Sequence, residues 1–465
     1  MSFIVVLLAL FFLMLAAYRG YSVILMAPLA ALGAVLLTEP SAVAPAFSGL
    51  FMDKMVGFIK LYFPVFLLGS VFGKLVEMSG FSKSIVAAVI RFIGEKRAIA
   101  VIVAVCALLT YGGVSLFVVV FAVYPFAAEL FRQSNIPKRL IPGTVALGAF
   151  SFTMDALPGT PQIQNIIPTT FFKTTAWAAP ALGISGAVFI TLVGLGYLEW
   201  RRRSMMARGE GYGTNLRNEP EQIDTSTLPS PWLAIAPLLL IGISNFAFTR
   251  WIPSWYGSSH ELKLAGMAKP VTTQISTVTA IWSVEAALLL GIAFVALSAW
   301  PAIREKFAEG SKGAIAGAML AAMNTASEYG FGAVIAALPG FLVIGHALQS
   351  IPNPLVNAAV TVSTLAGVTG SASGGMSIAL AVMGEQFINA CQAAGIPLEV
   401  LHRVVAMASG GMDTLPHNGA VITLLAVTGL THKTSYKDVS AVTIIKTSMV
   451  FIIILLYYLS GGHIV

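Results

Sequence analysis

Long apolar stretches follow one another along almost the whole chain, and they constrain the fold more than any other feature. A helix needs ~20 mostly apolar residues to cross the hydrocarbon core of a bilayer. Only 10% of the 465 residues are charged, against about 25% in an ordinary soluble domain. The sequence therefore predicts an all-α polytopic membrane protein, which excludes soluble enzymes, nucleic-acid binders and disordered chains. The stretches form two series of seven: 3–17, 21–38, 55–91, 98–111, 114–131, 140–172 and 177–199, then 232–249, 274–299, 313–347, 354–368, 371–391, 397–430 and 438–460.

One long polar segment, Arg201 to Ser230, separates the two series. Basic residues gather in loops that stay on the cytoplasmic side. Counting fourteen crossings places this segment and most other basic loops on that side, with both termini outside. The sequence therefore predicts three parts: a first transmembrane repeat at 1–200, a cytoplasmic linker loop at 201–230, and a second, inverted transmembrane repeat at 231–465.

Several stretches are too long for one straight crossing. The runs 55–91, 140–172, 397–430 and 313–347 are each interrupted by glycine, proline or polar residues, with Asn324 to Gly330 as the interruption in the last. Irregular backbone is tolerated at membrane depth only where it is covered by protein or lines a cavity. We therefore expect broken helices or re-entrant hairpins at these places.

The two halves of the chain repeat each other at a nearly constant spacing. Because each half has an odd number of crossings, the second copy must enter the membrane inverted. The basic loop from Arg91 to Arg97 corresponds to 349–355, which has no Lys or Arg, as inversion requires. Inverted repeats with broken helices are typical of secondary transporters, whose site lies near the bilayer midplane. Three matched pairs carry the repeat, at offsets of 258, 260 and 259 residues: Met154–Pro158 with Met412–Pro416, Ile136–Pro137 with Ile396–Pro397, and Phe72–Gly73 with Phe331–Gly332.

Each copy of the Met-Asp-x-Leu-Pro motif puts a proline inside an apolar run, and the residues beyond it begin a new half-helix. The N-terminus of such a half-helix offers free N–H groups and a positive dipole end, which suit a carboxylate. The alternative is a proline kink with capping polar side chains. The candidate substrate-binding residues at these two breaks are Gly159, Thr160, Gln164, Asn165, His417 and Asn418.

Three acidic residues inside apolar runs are candidates for proton coupling. Asp155 and Asp413 belong to the repeated motif, and Glu328 lies in the 313–347 stretch. Ionisable groups at membrane depth are costly and therefore functional candidates. Capping of the following half-helix is the alternative for the aspartates, and capping or an ion pair is the alternative for Glu328.

Two glycine-rich segments, 110–115 and 369–375, also occupy matching places in the two halves. They are either tight turns or hairpin tips whose glycines let backbone amides approach a substrate anion. The candidate binding residues on them are Gly112, Gly113, Ser115, Ser371, Ser373 and Gly374.

These motifs resemble those of the gluconate permease (GntP-type) family of carboxylate:H+ symporters, within the ion-transporter superfamily. The similarity covers nearly the whole chain and is most pronounced at Gly410–Gly419. The run Gly159–Asn165 is nearer to the hydroxybutyrate or citrate-like branch. The resemblance implies proton-coupled uptake of a small hydroxy-acid, such as gluconate, a related sugar acid, 3-hydroxybutyrate or D-serine, across the bacterial inner membrane.

The sequence thus predicts a transporter that is not an enzyme and needs no cofactor beyond its coupling ion, H+ or alternatively Na+. Its expected partners are a small organic anion, the lipid bilayer and a second copy of the chain, with no nucleic acid. No phosphate-binding G-x-x-x-x-G-K-[ST] motif is present, which argues against ATP-driven transport. An anion channel and an intramembrane hydrolase remain as alternatives from other classes.

Overall fold

A computed structural model describes residues 2–19, 21–94, 97–114, 116–214, 217–220, 228–341, 351–416 and 418–465. Almost all regular structure in these residues is helical, so the predicted all-α architecture is confirmed. The first half contains α1 Ser2–Tyr18, α2 Val23–Thr38, α3 Val43–Pro45, α4 Met52–Met78, α5 Phe81–Ile93, α6 Ala98–Tyr111, α7 Leu116–Gln133, α8 Ile141–Ala149, α9 Phe152–Asp155, α10 Ile163–Phe172 and α11 Pro180–Met206. The second half contains α12 Pro231–Tyr256, α13 Ile275–Ile303, α14 Phe307–Ala337, α15 Pro354–Thr369, α16 Ala372–Ala393, α17 Leu398–Ser409, α18 Gly419–Thr428 and α19 His432–Leu459.

Several helices have the length and composition to cross a bilayer. In the described part of the chain, five helical segments are long and apolar enough to do so: Pro40–Met78, Pro180–Met206, Pro231–Tyr256, Ile275–Ile303 and His432–Leu459. The first of these joins α4 to a short 3-10 turn, α3 and a π-helical turn. Shorter apolar helices, such as α2 and α6, accompany these five. A polytopic membrane protein follows from this set.

A small antiparallel hairpin was not expected from the sequence. Strand β1, Ser259–Leu262, pairs with β2, Val271–Gln274, in the connection between α12 and α13. Both strands are largely exposed. Tyr256 packs against His260 of β1 and against Trp282 of α13, with ring centroids 5.1 Å and 5.5 Å apart, and aromatic residues of this kind are typical of membrane–water interfaces.

Three of the four long stretches are broken as predicted. Gly80, with a φ of 75°, separates α4 from α5. The stretch 140–172 divides into α8, α9 and α10, and 397–430 divides into α17 and α18. In both cases the motif proline lies in the non-helical connection, as expected of a residue that cannot donate to the preceding turn.

The 313–347 stretch is interrupted, but its predicted place at Asn324–Gly330 is wrong, because the non-helical residue is Leu338. Helix α14 continues through Asn324–Gly330 without a break and ends at Ala337. No proline lies in this helix, and its polar side chains are compatible with helical geometry because the Thr325 hydroxyl donates to the carbonyl of Ala321, at 3.2 Å. Helical hydrogen bonding therefore prevails over the polar composition of this segment. Residues 342–350 lie outside the described residues.

The helices of the two halves correspond at about the spacing that the sequence motifs show. Helices α4, α6, α7, α8, α10 and α11 match α14, α15, α16, α17, α18 and α19 in order. Their packing repeats as well: α10 packs on α16, and its counterpart α18 packs on α7. The matched pairs α4–α14 and α11–α19 also pack against each other. This pattern is what a pseudo-twofold relation between the halves produces.

The two halves are joined by a polar anchor where α11 meets α19. Arg201 Nε lies 2.7 Å from Asp438 Oδ1, and the Tyr197 hydroxyl donates to the same oxygen at 2.9 Å. Helix α11 extends to Met206, so the first residues of the predicted linker are helical. Arginine suits a buried ion pair because its charge is delocalised and its donors have a fixed geometry.

The described part of the linker contacts both halves of the chain. Lys138 Nζ contacts Glu219 Oε1 at 2.7 Å and the carbonyl of Arg217 at 2.7 Å. Asn218 donates to the carbonyl of Ala426 in α18 at 2.8 Å. Partial burial raises the pKa of Glu219, but hydrogen bonds from Lys138 and Tyr212 outweigh it and hold the pKa below its usual value. Glu219 is therefore an ionised anchor at neutral pH.

Candidate functional site

The first break places a carboxyl group in the protein interior. Asp155 is the last residue of α9 and only 2% exposed. Its Oδ2 atom lies against the backbone of Gly410 at the second break, where a Cβ on residue 410 would fall 1.7 Å from it. The side chain of one repeat thus reaches the broken segment of the other.

The second break carries a buried ion pair. Asp413, 5% exposed, accepts a hydrogen bond from Lys446 Nζ on α19 at 2.5 Å. The same ammonium group donates to the carbonyl of Phe150, next to the first break, at 2.9 Å. Lys446 therefore ties the two breaks together and satisfies a backbone carbonyl freed by the end of α8.

A second buried cation lies on α17. Arg403 is fully buried and donates to the carbonyl of Ala178 at 2.7 Å and to that of Asp155 at 3.0 Å. It also donates to Asn165 Oδ1 at 3.0 Å. These acceptors are neutral, so none of the groups bonded to the guanidinium balances its positive charge beside the first break.

Asn165 is held by protein groups on every side. Its Oδ1 accepts from Arg403 and lies 3.2 Å from His402 Nε2, while its Nδ2 donates to the carbonyls of Thr160 and Ala176. An amide offers two donors and one acceptor oxygen, and all are used here. Asn165, which the sequence predicts to bind substrate, orients α10 and the connection before it in this conformation.

The imidazole of His402 is neutral in this network. Because Asn165 Oδ1 can only accept, His402 Nε2 donates to it, and because full burial next to Arg403 disfavours a charged ring, Nδ1 accepts from the Thr174 hydroxyl at 2.6 Å. A ring with one donating and one accepting nitrogen carries no charge. The position of His402 near a predicted helix end suggests an interfacial residue, and the structure buries its side chain completely among protein groups.

Four ionisable side chains make up a balanced buried cluster, which we call the charge cluster: Asp155, Asp413, Arg403 and Lys446. The two carboxyl groups are close enough to influence each other electrostatically, and both cations act on Asp155. Among the described residues, Asp413 forms an ion pair and Asp155 forms none. With both acids ionised the net charge of the cluster is zero.

The first glycine-rich segment lies on the first break. Gly112 and Gly113 end α6, and Gly113 has a φ of 92°. The Tyr111 hydroxyl donates to the carbonyl of Pro158 at 2.9 Å, and Gln162 Nε2 donates to that of Thr110 at 2.7 Å. The segment is therefore a turn that contacts the broken helix, and the approach of its backbone amides to a substrate stays a prediction.

The second glycine-rich segment lies on the second break. Ser371 caps α16 and accepts from the N–H of Gly374 at 3.0 Å, and Ser373 hydrogen-bonds Thr325 at 3.2 Å. Asn418 donates to the carbonyl of Gly370 at 2.7 Å, while its Oδ1 caps α18. The arrangement mirrors the first: each glycine-rich turn contacts the break of its own repeat.

Glu328 lies over the first turn of α16. A Cβ on residue 374 would fall 1.5 Å from its Oε2 atom, so only glycine fits there. A helix N-terminus favours a negative group. The role of Glu328 in proton coupling stays a prediction. The substrate-binding roles of Gly159, Thr160, Gln164 and the other residues at the breaks also stay predictions. Ser115 and His417 lie outside the described residues.

Comparison with known proteins identifies the class of the chain. No family model matches the sequence. An uncharacterized transporter of Bacillus subtilis (strain 168), YxjC, is 57% identical over 470 aligned positions, which cover 99% of this chain and 100% of that protein. The chain belongs to the transporter family of YxjC. The prediction of a membrane transporter is therefore confirmed, whereas the more specific GntP-type assignment stays a prediction.

A solved structure shares the fold of the transporter. The crystal structure of the YdaH transporter from Alcanivorax borkumensis, described as having an unusual topology, aligns with a TM-score of 0.56. The alignment covers 92% of this chain and 91% of that one at 15% identity. At this identity the similarity concerns the fold alone, and it supports the helical membrane architecture described above.

Neither cation of the transporter's charge cluster is among the functional residues that the sequence predicted. Arg403 and Lys446 lie inside the apolar runs 397–430 and 438–460. A lone basic residue within a membrane segment is a functional candidate on the same grounds as a lone acid. Most basic residues of the chain lie in polar loops and indicate its orientation, so these two did not stand out from the sequence.

Gly410 allows a direct test of the contact between the breaks. Replacing Gly410 with Ala puts a methyl group onto Asp155 Oδ2, and overpacking of this kind costs about 1–3 kcal/mol. We expect Gly410→Ala to displace Asp155 and to lower transport strongly. Gly419→Ala is the matched control, because nothing lies within 4 Å of a Cβ there. Equal transport by the two variants would show that the contact is unimportant.

Proposed function

We propose that the transporter is a secondary active symporter that takes up one small hydroxy-carboxylate together with one proton. The observation that carries this proposal is the charge cluster: two buried acids face two buried cations, and only one acid, Asp413, is in an ion pair. The free anion binds near the half-helix N-termini of α10 and α18, where backbone N–H groups favour negative charge.

The net charge of the cluster then determines in which states the transporter can reorient its binding site across the membrane. The empty cluster with both acids ionised is neutral. A bound monocarboxylate brings the net charge to −1, and one proton on Asp155 restores it to zero. Burial without an ion-pair partner favours protonation of Asp155 over that of Asp413, because desolvation disfavours a charged carboxyl.

The same arithmetic prevents uncoupled leaks. A protonated but empty cluster has a net charge of +1, and a loaded but unprotonated cluster has −1. Moving an uncompensated buried charge is costly, by several kcal/mol per ion. Only the empty deprotonated form and the loaded protonated form are neutral, so substrate and proton cross together and the cycle is electroneutral.

The repeat supplies the movement. In the proposed cycle the two halves are inverted copies, and exchange of their conformations opens the breaks first to one side of the bacterial inner membrane and then to the other. The resemblance to GntP-type symporters supports the same substrate class. Assembly as a homodimer is part of the proposal, as a scaffold against which the broken helices move.

Proteoliposomes test coupling and stoichiometry together. We expect radiolabelled 3-hydroxybutyrate to accumulate under an imposed pH gradient that is acidic outside, and not under a sodium gradient at equal pH. Because the cycle is electroneutral, a potassium diffusion potential set with valinomycin should leave the uptake unchanged. Uptake driven by a sodium gradient alone would show that Na+ is the coupling ion. Uptake that responds to neither gradient would refute a symporter.

A further inference from the structure

Unpartnered polar atoms gather around the first break. In the described residues, eleven buried side-chain nitrogen or oxygen atoms have no hydrogen-bond partner. Buried polar groups are nearly always satisfied, so a concentration of exceptions calls for an explanation. Five of the eleven belong to this region: Thr110 Oγ1, Thr160 Oγ1, Gln164 Oε1, Trp177 Nε1 and Asn245 Oδ1.

These five side chains surround one short stretch of backbone. Thr160 and Gln164 lie within it, and the carbonyl of Thr110 is bonded to Gln162 at 2.7 Å. Asn245 Nδ2, on α12, donates to the carbonyl of Gly159 at 3.1 Å. The Trp177 ring covers Gly159 so closely that a Cβ there would fall 2.4 Å from it. Four separate elements therefore bring unsatisfied groups to the connection between α9 and α10.

The set combines donors with neutral acceptors. Trp177 Nε1 can only donate, and the two threonine hydroxyls can donate or accept. The free oxygens of Gln164 and Asn245 can only accept, and the Asn245 orientation is fixed by its bond to Gly159. A carboxylate satisfies the donors but not these acceptors, because it carries no hydrogen. The acceptors need a ligand with an O–H or N–H group.

We propose that Thr110, Thr160, Gln164, Trp177 and Asn245 form the subsite that recognises the substrate's hydroxyl group. This inference rests on the proposed function and makes it more specific. The hydroxyl donates to an amide oxygen, Gln164 Oε1 or Asn245 Oδ1, and accepts from Trp177 or a threonine. The transporter therefore discriminates a hydroxy-acid from the same acid without its hydroxyl.

An ammonium group does not fit this subsite. The acceptors are neutral amides, and the Arg403 guanidinium is bonded to Asn165, in the first turn of α10, at 3.0 Å. A positive ligand group here lacks a paired carboxylate and lies near a like charge. The subsite accordingly takes hydroxy-acids and rejects the corresponding amino acids.

A three-member substrate series tests the subsite. Transport and binding by the full-length protein in proteoliposomes are compared for 3-hydroxybutyrate, butyrate and 3-aminobutyrate. We expect KM to be lowest for 3-hydroxybutyrate, with at least tenfold preference over the other two, since an analogue lacking the hydroxyl leaves buried groups unpaired. Thr160→Val and Gln164→Met should reduce the preference over butyrate about tenfold by raising the KM for 3-hydroxybutyrate.

Thr169→Val is the matched control. Thr169 lies on α10, is equally buried, and its hydroxyl is already bonded to the carbonyl of Ile166 at 2.7 Å, so its removal should not change the preference. Equal transport of butyrate and 3-hydroxybutyrate by the wild-type protein, or an unchanged preference in both subsite variants, would overturn the subsite alone. Absence of transport and binding for every acid would overturn the proposed function as well.

Discussion

Asp155→Asn abolishes uphill accumulation of substrate under a pH gradient but preserves exchange of substrate across the membrane. This is the largest functional effect that we expect from a single substitution. Asparagine has nearly the size and shape of a protonated aspartate and cannot ionise, so it fixes the cluster in its protonated charge state. The measurement is a pair of proteoliposome assays, one of gradient-driven uptake and one of counterflow with substrate on both sides.

The two assays give different results because reorientation of the loaded cluster and reorientation of the empty cluster involve different net charges. In the Asp155→Asn variant the loaded cluster remains neutral, because Asp413 and the substrate balance Arg403 and Lys446. It can therefore reorient and exchange substrate. The empty cluster has a net charge of +1, and its reorientation is opposed by the cost of an uncompensated buried charge. Net uptake requires that empty step, so accumulation falls to the level of protein-free vesicles.

Two other acids provide controls for this result. Glu285 is half-buried on α13, outside the charge cluster, and Glu285→Gln should retain coupled uptake. Glu328 lies at the other glycine-rich turn, and Glu328→Gln should likewise retain the response to pH. Loss of coupling in Glu328→Gln together with normal coupling in Asp155→Asn would move the proton site to Glu328.

The sequence predicted the parts of this arrangement that the repeat preserves. The matched motifs at Asp155 and Asp413 indicated two broken helices, and the structure has both. The glycine-rich segments were also found as a pair, because turns at the end of α6 and before α16 need residues without a large side chain. Repetition is informative because an interruption that recurs at the same place in both halves indicates a shared structural role.

The parts that were missed are those in which the halves differ. At the repeat spacing of about 259 residues, Arg403 and Lys446 correspond to Thr144 and Ala187 in the first half, so no repeated motif marks them. The hydrogen-bond partners of a side chain also cannot be read from a sequence. Nothing in the run Gly159–Asn165 shows that Asn165 is saturated by Arg403 and His402 while its neighbours Thr160 and Gln164 are unsatisfied. The polar composition of Asn324–Gly330 wrongly indicated a break, because a helix can continue through polar side chains when no proline interrupts it.

Lys446→Met should unfold the transporter at a much lower temperature and abolish its activity. The substitution leaves Asp413 buried without its ion-pair partner, and breaking a buried pair in this way costs about 3–5 kcal/mol. It also removes the bond that ties the ammonium to the carbonyl of Phe150. Thermal unfolding of the purified protein in detergent measures the loss. Lys437→Met, at an exposed lysine on the same helix, is the matched control and should unfold like the wild type.

The double variant Asp413→Asn with Lys446→Met distinguishes a structural pair from a required pair of charges. Removing both partners leaves no unpaired ion, and such replacements are often neutral for stability, so the unfolding temperature should recover most of the way. Asp155 and Arg403 still form a balanced cluster, neutral when empty and neutral again with one substrate and one proton. We therefore expect the double variant to regain pH-driven uptake, with a higher KM because one cation near the anion site is gone. A stable double variant without coupled uptake would show that the Asp413–Lys446 pair has a role in the transport cycle beyond its contribution to net charge and stability.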